Sequence, residues 1–131
     1  MDAYLEDEFG ASKWKATSEE MDEKDFRENI EKVMVEFEKQ AIAGKIINVL
    51  DDSSEMKFAL HPDLQSWAIN KVVPFYMKYK IKKYAMVLPQ EFISHLAYEQ
   101  IAEESVNLPD KLPYRSKVFN DLEKAKAWLK E

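Results

Sequence analysis

Apolar residues recur along this chain with two different periods, and the alternation between them predicts its elements. Ile46, Ile47, Val49 and Leu50 form a short β-branched run without clean alternation. That is the pattern of a strand buried on both faces, usually in a parallel or mixed sheet. It ends at Asp51, Asp52, Ser53 and Ser54. Tyr84 to Leu88 predicts a second buried strand and Tyr114 to Phe119 a last one. Near the N-terminus, Trp14 and Ala16 alternate with Lys13, Lys15 and Thr17, after the run from Tyr4 to Phe9. A β-hairpin turning near Gly10 is predicted, one face on the core and one in water.

The other period is helical. Phe26, Ile30, Val33, Met34, Phe37 and Ala41 make one stripe of a helix from about Asp22 to Ala43. Gly44 sits where a C-terminal glycine belongs. Pro62 opens a second helix, with Leu64, Trp67, Ala68 and Val72 on its core face, and Pro74 should end or kink it near Val73. Phe75 to Ile81 reads as a further turn and a connector. Pro89 opens a third helix carrying Phe92, Ile93, Leu96, Ala97 and Ile101. After a loop from Asn107 to Pro113 and the last strand, Asn120 caps a fourth helix, with Glu123 as its capping-box partner.

The order is β-β-α-β-α-β-α-β-α. The expected fold is α/β: one domain over residues 1–131, with a mixed five-stranded sheet. An antiparallel hairpin is followed by parallel β-α units. A chain of 131 residues buries about two thirds of its unfolded surface, enough for a core without staples.

Composition removes several classes of chemistry. Without cysteine there is no disulfide, thiolate metal site or thiol nucleophile, which fits a cytoplasmic location. No basic and apolar leader opens the chain, and no run approaches the roughly 18 apolar residues of a membrane span. The two glycines, Gly10 and Gly44, leave no phosphate-cradling loop and no dinucleotide fingerprint. The net charge of −6 speaks against nucleic acid. The charge is uneven: residues 1–44 carry a net −7, residues 45–88 a net +3 and residues 89–131 a net −2. The middle third is therefore where an anion would be met.

Four features compete as sites. Asp51, Asp52, Ser53 and Ser54 follow a central strand, at the carboxyl end where open α/β sheets bind ligands. They suit a partner or regulatory surface, or else a polar loop bonding its own backbone. Lys78, Lys80, Lys82 and Lys83 interleave with tyrosines after Trp67 and suggest contacts to an anion or an anionic lipid, against the plainer reading of a solvated helix end. Trp14, Trp67 and Trp128 suggest either core or the walls of an apolar cavity. His61 and His95 have no second ligand at metal spacing and read as structural or solvated. The glutamates of the first helix lie off its apolar stripe, so no buried acid pair is indicated. No cofactor is expected.

Three stretches carry a family likeness: the buried strand ending in Asp51; Pro62-Asp63-Leu64-Gln65-Ser66-Trp67 with Val73-Pro74 and the basic run into Tyr84-Ala85-Met86-Val87; and Val118-Phe119-Asn120-Asp121-Leu122-Glu123-Lys124-Ala125 closing with Trp128-Leu129. Over nearly the whole chain these resemble the SpoIIAA-like family, of STAS-type fold and akin in shape to CRAL-TRIO lipid-binding domains. Such members commonly have a glycine in the turn before the strand that starts here near Lys83. This chain has Tyr79, Lys80 and Ile81 there, so a non-glycine residue must take any positive φ. Anti-sigma-factor antagonists of STAS fold are similar in carrying a phosphorylated serine after a core strand, although Glu55 stands here where their glycine would be.

The resemblance implies a non-enzymatic binding or regulatory module, since no nucleophile–base or metal constellation is visible. A protein partner at the loop after Asp51 is the first expectation. A carrier or sensor of a small apolar or anionic lipid-like ligand is the alternative. Dimerisation through the hairpin edge is open to the chain, because an unpaired edge strand invites pairing.

Overall fold

Five strands lie side by side in chain order: β1 (Asp2–Glu6), β2 (Phe9–Lys13), β3 (Asn48–Asp52), β4 (Lys83–Val87) and β5 (Arg115–Phe119). β1 runs antiparallel to β2, and every other neighbouring pair is parallel. The computed structural model describes residues 1–57, 62–89 and 114–131. Among them are three α-helices: α1 (Glu23–Ile42), α2 (Pro62–Lys78) and α3 (Leu122–Leu129). The mixed five-stranded α/β architecture is the one the periodicity predicts. The expected third helix after Pro89 and the loop from Asn107 to Pro113 fall outside the described residues.

Side chains alternate across a strand, so each strand divides its residues between two layers. On one face Phe9, Leu50, Ala85, Val87 and Phe119 meet Ala125, Trp128 and Leu129 of α3. On the other, Val49 meets Val33 and Phe37 of α1 and Phe75 and Tyr76 of α2. The two described crossover helices, α1 and α2, share one face, as parallel neighbours joined with the same hand must. Asn48 Nδ2 donates to Leu129 O at 2.9 Å, and Lys83 Nζ donates to Trp128 O and Glu131 O, both at 3.0 Å. These bonds tie the C-terminal end of the chain to the sheet, and the first satisfies the Leu129 carbonyl, which the end of α3 leaves without a helical partner.

The hairpin turns at Asp7 and Glu8, since Glu6 pairs with Phe9; it does not turn at Gly10. Asp7 takes a φ of 50°, a region that Asp tolerates better than most side chains. Gly10 lies inside β2, where a Cβ would stand 3.0 Å from Phe37 Cε1 and 3.3 Å from Ile46 Cδ1. Its missing side chain is therefore a packing requirement of α1, not a turn device.

Two helix ends use one device. Lys45 N–H donates to Gln40 O and Gly44 N–H to Ala41 O, with Gly44 at φ 72°. Ile81 N–H donates to Tyr76 O and Lys80 N–H to Met77 O, with Lys80 at φ 55°. Both are Schellman caps. The second places a lysine where the first has glycine, as the absence of glycine from residues 79–81 led us to expect.

Three boundaries differ from expectation, and the first is the second hairpin strand: expected over Lys13 to Thr17, it ends at Lys13 and gives way to a 3₁₀ helix at Ala16–Glu20. α2 continues through Pro74 to Lys78. Pro74 cannot donate to the Asn70 carbonyl, but both residues are exposed, so water can satisfy it, while buried Leu64 on one side and Phe75 and Tyr76 on the other hold the helix to the core. The N-cap of α3 is Asp121, not Asn120: its carboxylate accepts from Lys124 N–H at 3.0 Å. α1 begins with a reciprocal capping box between Asp22 and Asp25.

Candidate functional site

Asp51 and Asp52 are adjacent in β3, so their side chains enter opposite layers. Asp52 belongs to the α3 face and is 1% exposed. Its Oδ1 accepts from Ser54 Oγ at 2.6 Å and Ser54 N–H at 3.1 Å, an Asx turn that ends the strand. Its Oδ2 is buried without a protein partner. Ser53 is also 1% exposed, and its N–H extends the ladder to Val87 O at 3.0 Å.

Asp51 points the other way, into a cavity of about 230 Å³ between the sheet and helices α1 and α2. α1 supplies a wholly apolar wall of Phe26, Ile30, Val33, Met34 and Phe37. α2 supplies Ala68, Ile69, Val72 and Val73, with Gln65 and Tyr76 at either end. The sheet supplies its floor: Ser12 from β2, Asp51 from β3, Tyr84 and Met86 from β4, and Ser116 and Val118 from β5. Trp14, stacked on Phe26 with ring centroids 5.2 Å apart, closes one side.

Asp51 Oδ1 accepts from Ser53 Oγ at 2.9 Å and Oδ2 from the Tyr84 hydroxyl at 3.0 Å. Although the residue as a whole is half-buried, its carboxyl is desolvated, and this raises its pKa to about 6. The two hydrogen bonds oppose that rise and the neighbouring charge of Asp52 adds to it. Burial and the charge of Asp51 push the Tyr76 and Tyr84 hydroxyls well above their ordinary value, so both stay neutral donors. Among the described residues, the site therefore offers one carboxyl in apolar walls, with hydroxyls beside it.

The residues singled out in the sequence are dispersed. Of the acidic loop, Asp51 and Ser53 line the cavity, Asp52 is buried on the opposite face, and Ser54 is half-buried in its turn. Lys78, Lys80 and Lys82 are exposed at the end of α2 and the turn into β4, at the amino ends of the strands, away from Asp51. Lys83 lies on the α3 face. Trp14 lines the cavity. Trp67 packs beside Trp14, Phe26 and Leu64 with the Arg27 guanidinium 5.2 Å from its ring centroid, and Trp128 packs on Phe119 across the sheet. His61 and His95 lie outside the described residues.

Ser12, Tyr76, Tyr84 and Tyr114 were not singled out as cavity residues by the sequence. Ser12 is the register partner of Asp51, a relation between strands far apart in the chain. The two-residue period links Val49 with Asp51 and Tyr84 with Met86, and this was the signal available for placing Tyr84 beside Asp51.

Among the described residues no group of three or more acidic or histidine side chains could hold a metal ion, and no helix is long and apolar enough to cross a membrane. No family model matches the chain, and no match is found among curated proteins or solved structures.

Proposed function

We propose that this chain is a binding module that holds a small apolar ligand between its sheet and helices α1 and α2. The observation that carries the reading is the cavity of about 230 Å³ with apolar helical walls around the one carboxyl of its described lining. An apolar cavity of about 150 Å³ is already large enough for benzene. The sequence resemblance drawn above implies a shape akin to CRAL-TRIO lipid-binding domains, which fits this reading. An anionic headgroup is disfavoured: the described lining holds a carboxylate and no lysine, arginine or histidine.

A serine-based regulatory surface has less support from the geometry. Ser53 is buried and donates to Asp51, so a kinase would need this turn opened.

The test is a titration with toluene followed by methyl NMR. Ile30, Ile69 and Val72 methyls should shift together and saturably, and filling the cavity by Ala68→Phe or Val72→Phe should abolish the shifts. Methyl shifts spread over the surface, or none in a folded protein, would overturn the reading.

A further inference from the structure

The cavity has a polar end, and its chemistry narrows the ligand. This step rests on the binding reading above and names the ligand class. We propose that the ligand is a small lipophilic amine whose ammonium group sits against the Asp51 carboxylate, its apolar body lying among the side chains of α1 and α2.

Three observations converge. The first is charge. Asp51 is the one acidic side chain in the described lining, and no basic side chain there balances it. Met1 also lines the cavity, but its ammonium donates to Asn29 Oδ1 at 3.4 Å, outside this lining. A buried carboxylate without a counter-charge is costly, and a cationic ligand offsets that cost.

The second is acceptor capacity. An ionised carboxylate has about four lone-pair directions. Ser53 and Tyr84 use one on each oxygen of Asp51. An ammonium brings three donors and no acceptor, the complement of what remains. Ser12, paired in register with Asp51, puts a hydroxyl oxygen on the same face one strand away.

The third is the aromatic surround. Tyr76 lies 5.6 Å from Tyr84 and 5.7 Å from Tyr114 between ring centroids, and all three line the cavity. Ring faces attract a cation and more so when water is excluded. Among the described residues, the groups lining the cavity with Asp51 are neutral: the hydroxyls of Ser12, Ser53, Tyr76, Tyr84, Tyr114 and Ser116, the Gln65 amide and apolar side chains, with the charge of Asp52 beside it in the chain. Because Asp51 holds its proton up to about pH 6 in the free protein, capture of an ammonium below that pH expels the proton to solvent, and amine affinity falls with it.

Scaling from benzene in about 150 Å³ gives a ligand of roughly nine non-hydrogen atoms. Three matched probes follow: 2-phenylethylamine, 2-phenylethanol and phenylacetate, titrated calorimetrically at pH 7.5. The amine is expected to bind at least about tenfold more tightly than the alcohol, and phenylacetate most weakly. In Asp51→Asn the amine's advantage should fall to about twofold or less while alcohol binding persists, which also shows that the variant is folded. Amine affinity in the native chain should drop about tenfold per pH unit below pH 6.

An alcohol that binds as well as the amine, or an advantage that survives Asp51→Asn, overturns the amine proposal and leaves the cavity reading intact. Phenylacetate as the tightest ligand overturns it in favour of an acid. A saturable methyl response to toluene with no response to any of the three overturns the amine proposal alone, whereas the loss of all four responses overturns both readings.

Discussion

Asp51→Asn should make the folded chain more stable at neutral pH, and less distinctly so in acid. The carboxyl of Asp51 has an ordinary pKa of 3.8, and in the fold it is raised to about 6 by desolvation. A raised acid favours the folded state while it is protonated and loses that contribution as pH climbs through the folded value. Each unit of difference corresponds to about 1.4 kcal/mol, so the ionised group costs the fold about 3 kcal/mol above pH 6. Asparagine removes the charge and keeps one of the two acceptor oxygens, and the hydroxyl at the other position can turn to accept from its NH2. Urea unfolding of both proteins between pH 4 and 8 isolates this group, because the other carboxylates cancel in the difference. The stability gap should widen by up to about 1.4 kcal/mol per pH unit between pH 4 and 6, then level off near 3 kcal/mol. A gap that stays flat, or one that narrows as pH rises, would refute the claim that Asp51 is a desolvated acid. So would a gap that widens only above pH 7.

Two further changes test the backbone. Lys80→Gly should raise stability by about 1 kcal/mol in the same assay, because Lys80 holds a φ of 55° that glycine adopts without a Cβ penalty; a loss would mean the lysine side chain contributes more than the cap strain costs. Gly10→Ala should lower stability by about 1–3 kcal/mol, since the added methyl meets buried Phe37 at 3.0 Å and Ile46 at 3.3 Å; an unchanged midpoint would show that α1 can shift aside.

Much of the architecture could be read from periodicity because it is set locally. The helical stripe of Phe26, Val33 and Phe37 buries as expected, and the apolar runs around Val49 and Tyr84 pair as parallel neighbours. Capping chemistry was legible where a single residue type serves: Gly44 caps α1. It misled where two candidates adjoined, as with Asn120 and Asp121, because one residue of shift changes the cap but not the pattern. Gly10 misled for another reason: a glycine signals a turn and a close approach equally, and only the position of Phe37 decides between them. Pro74 signals an end or a kink, yet packing on both sides of it carries the helix through to Lys78.

The site was only partly legible. Asp51, Asp52, Ser53 and Ser54 adjoin in the sequence, which suggests one surface at a strand end. They belong to two faces of the sheet and a turn. The sequence by itself determined the order of the described strands and α-helices, many of the residues that face inward and the reversal of side chains along β3, because these follow from local periods and backbone preference. Tertiary structure decided which face received α1 and α2, that Ser12 and Tyr84 stand beside Asp51, and that the lysines of the α2 end stand apart from it. Those relations depend on strand register and helix packing between segments distant in the chain. The same packing turns one carboxyl toward the cavity and closes its neighbour into a turn on the opposite face, so two adjacent aspartates meet different surroundings.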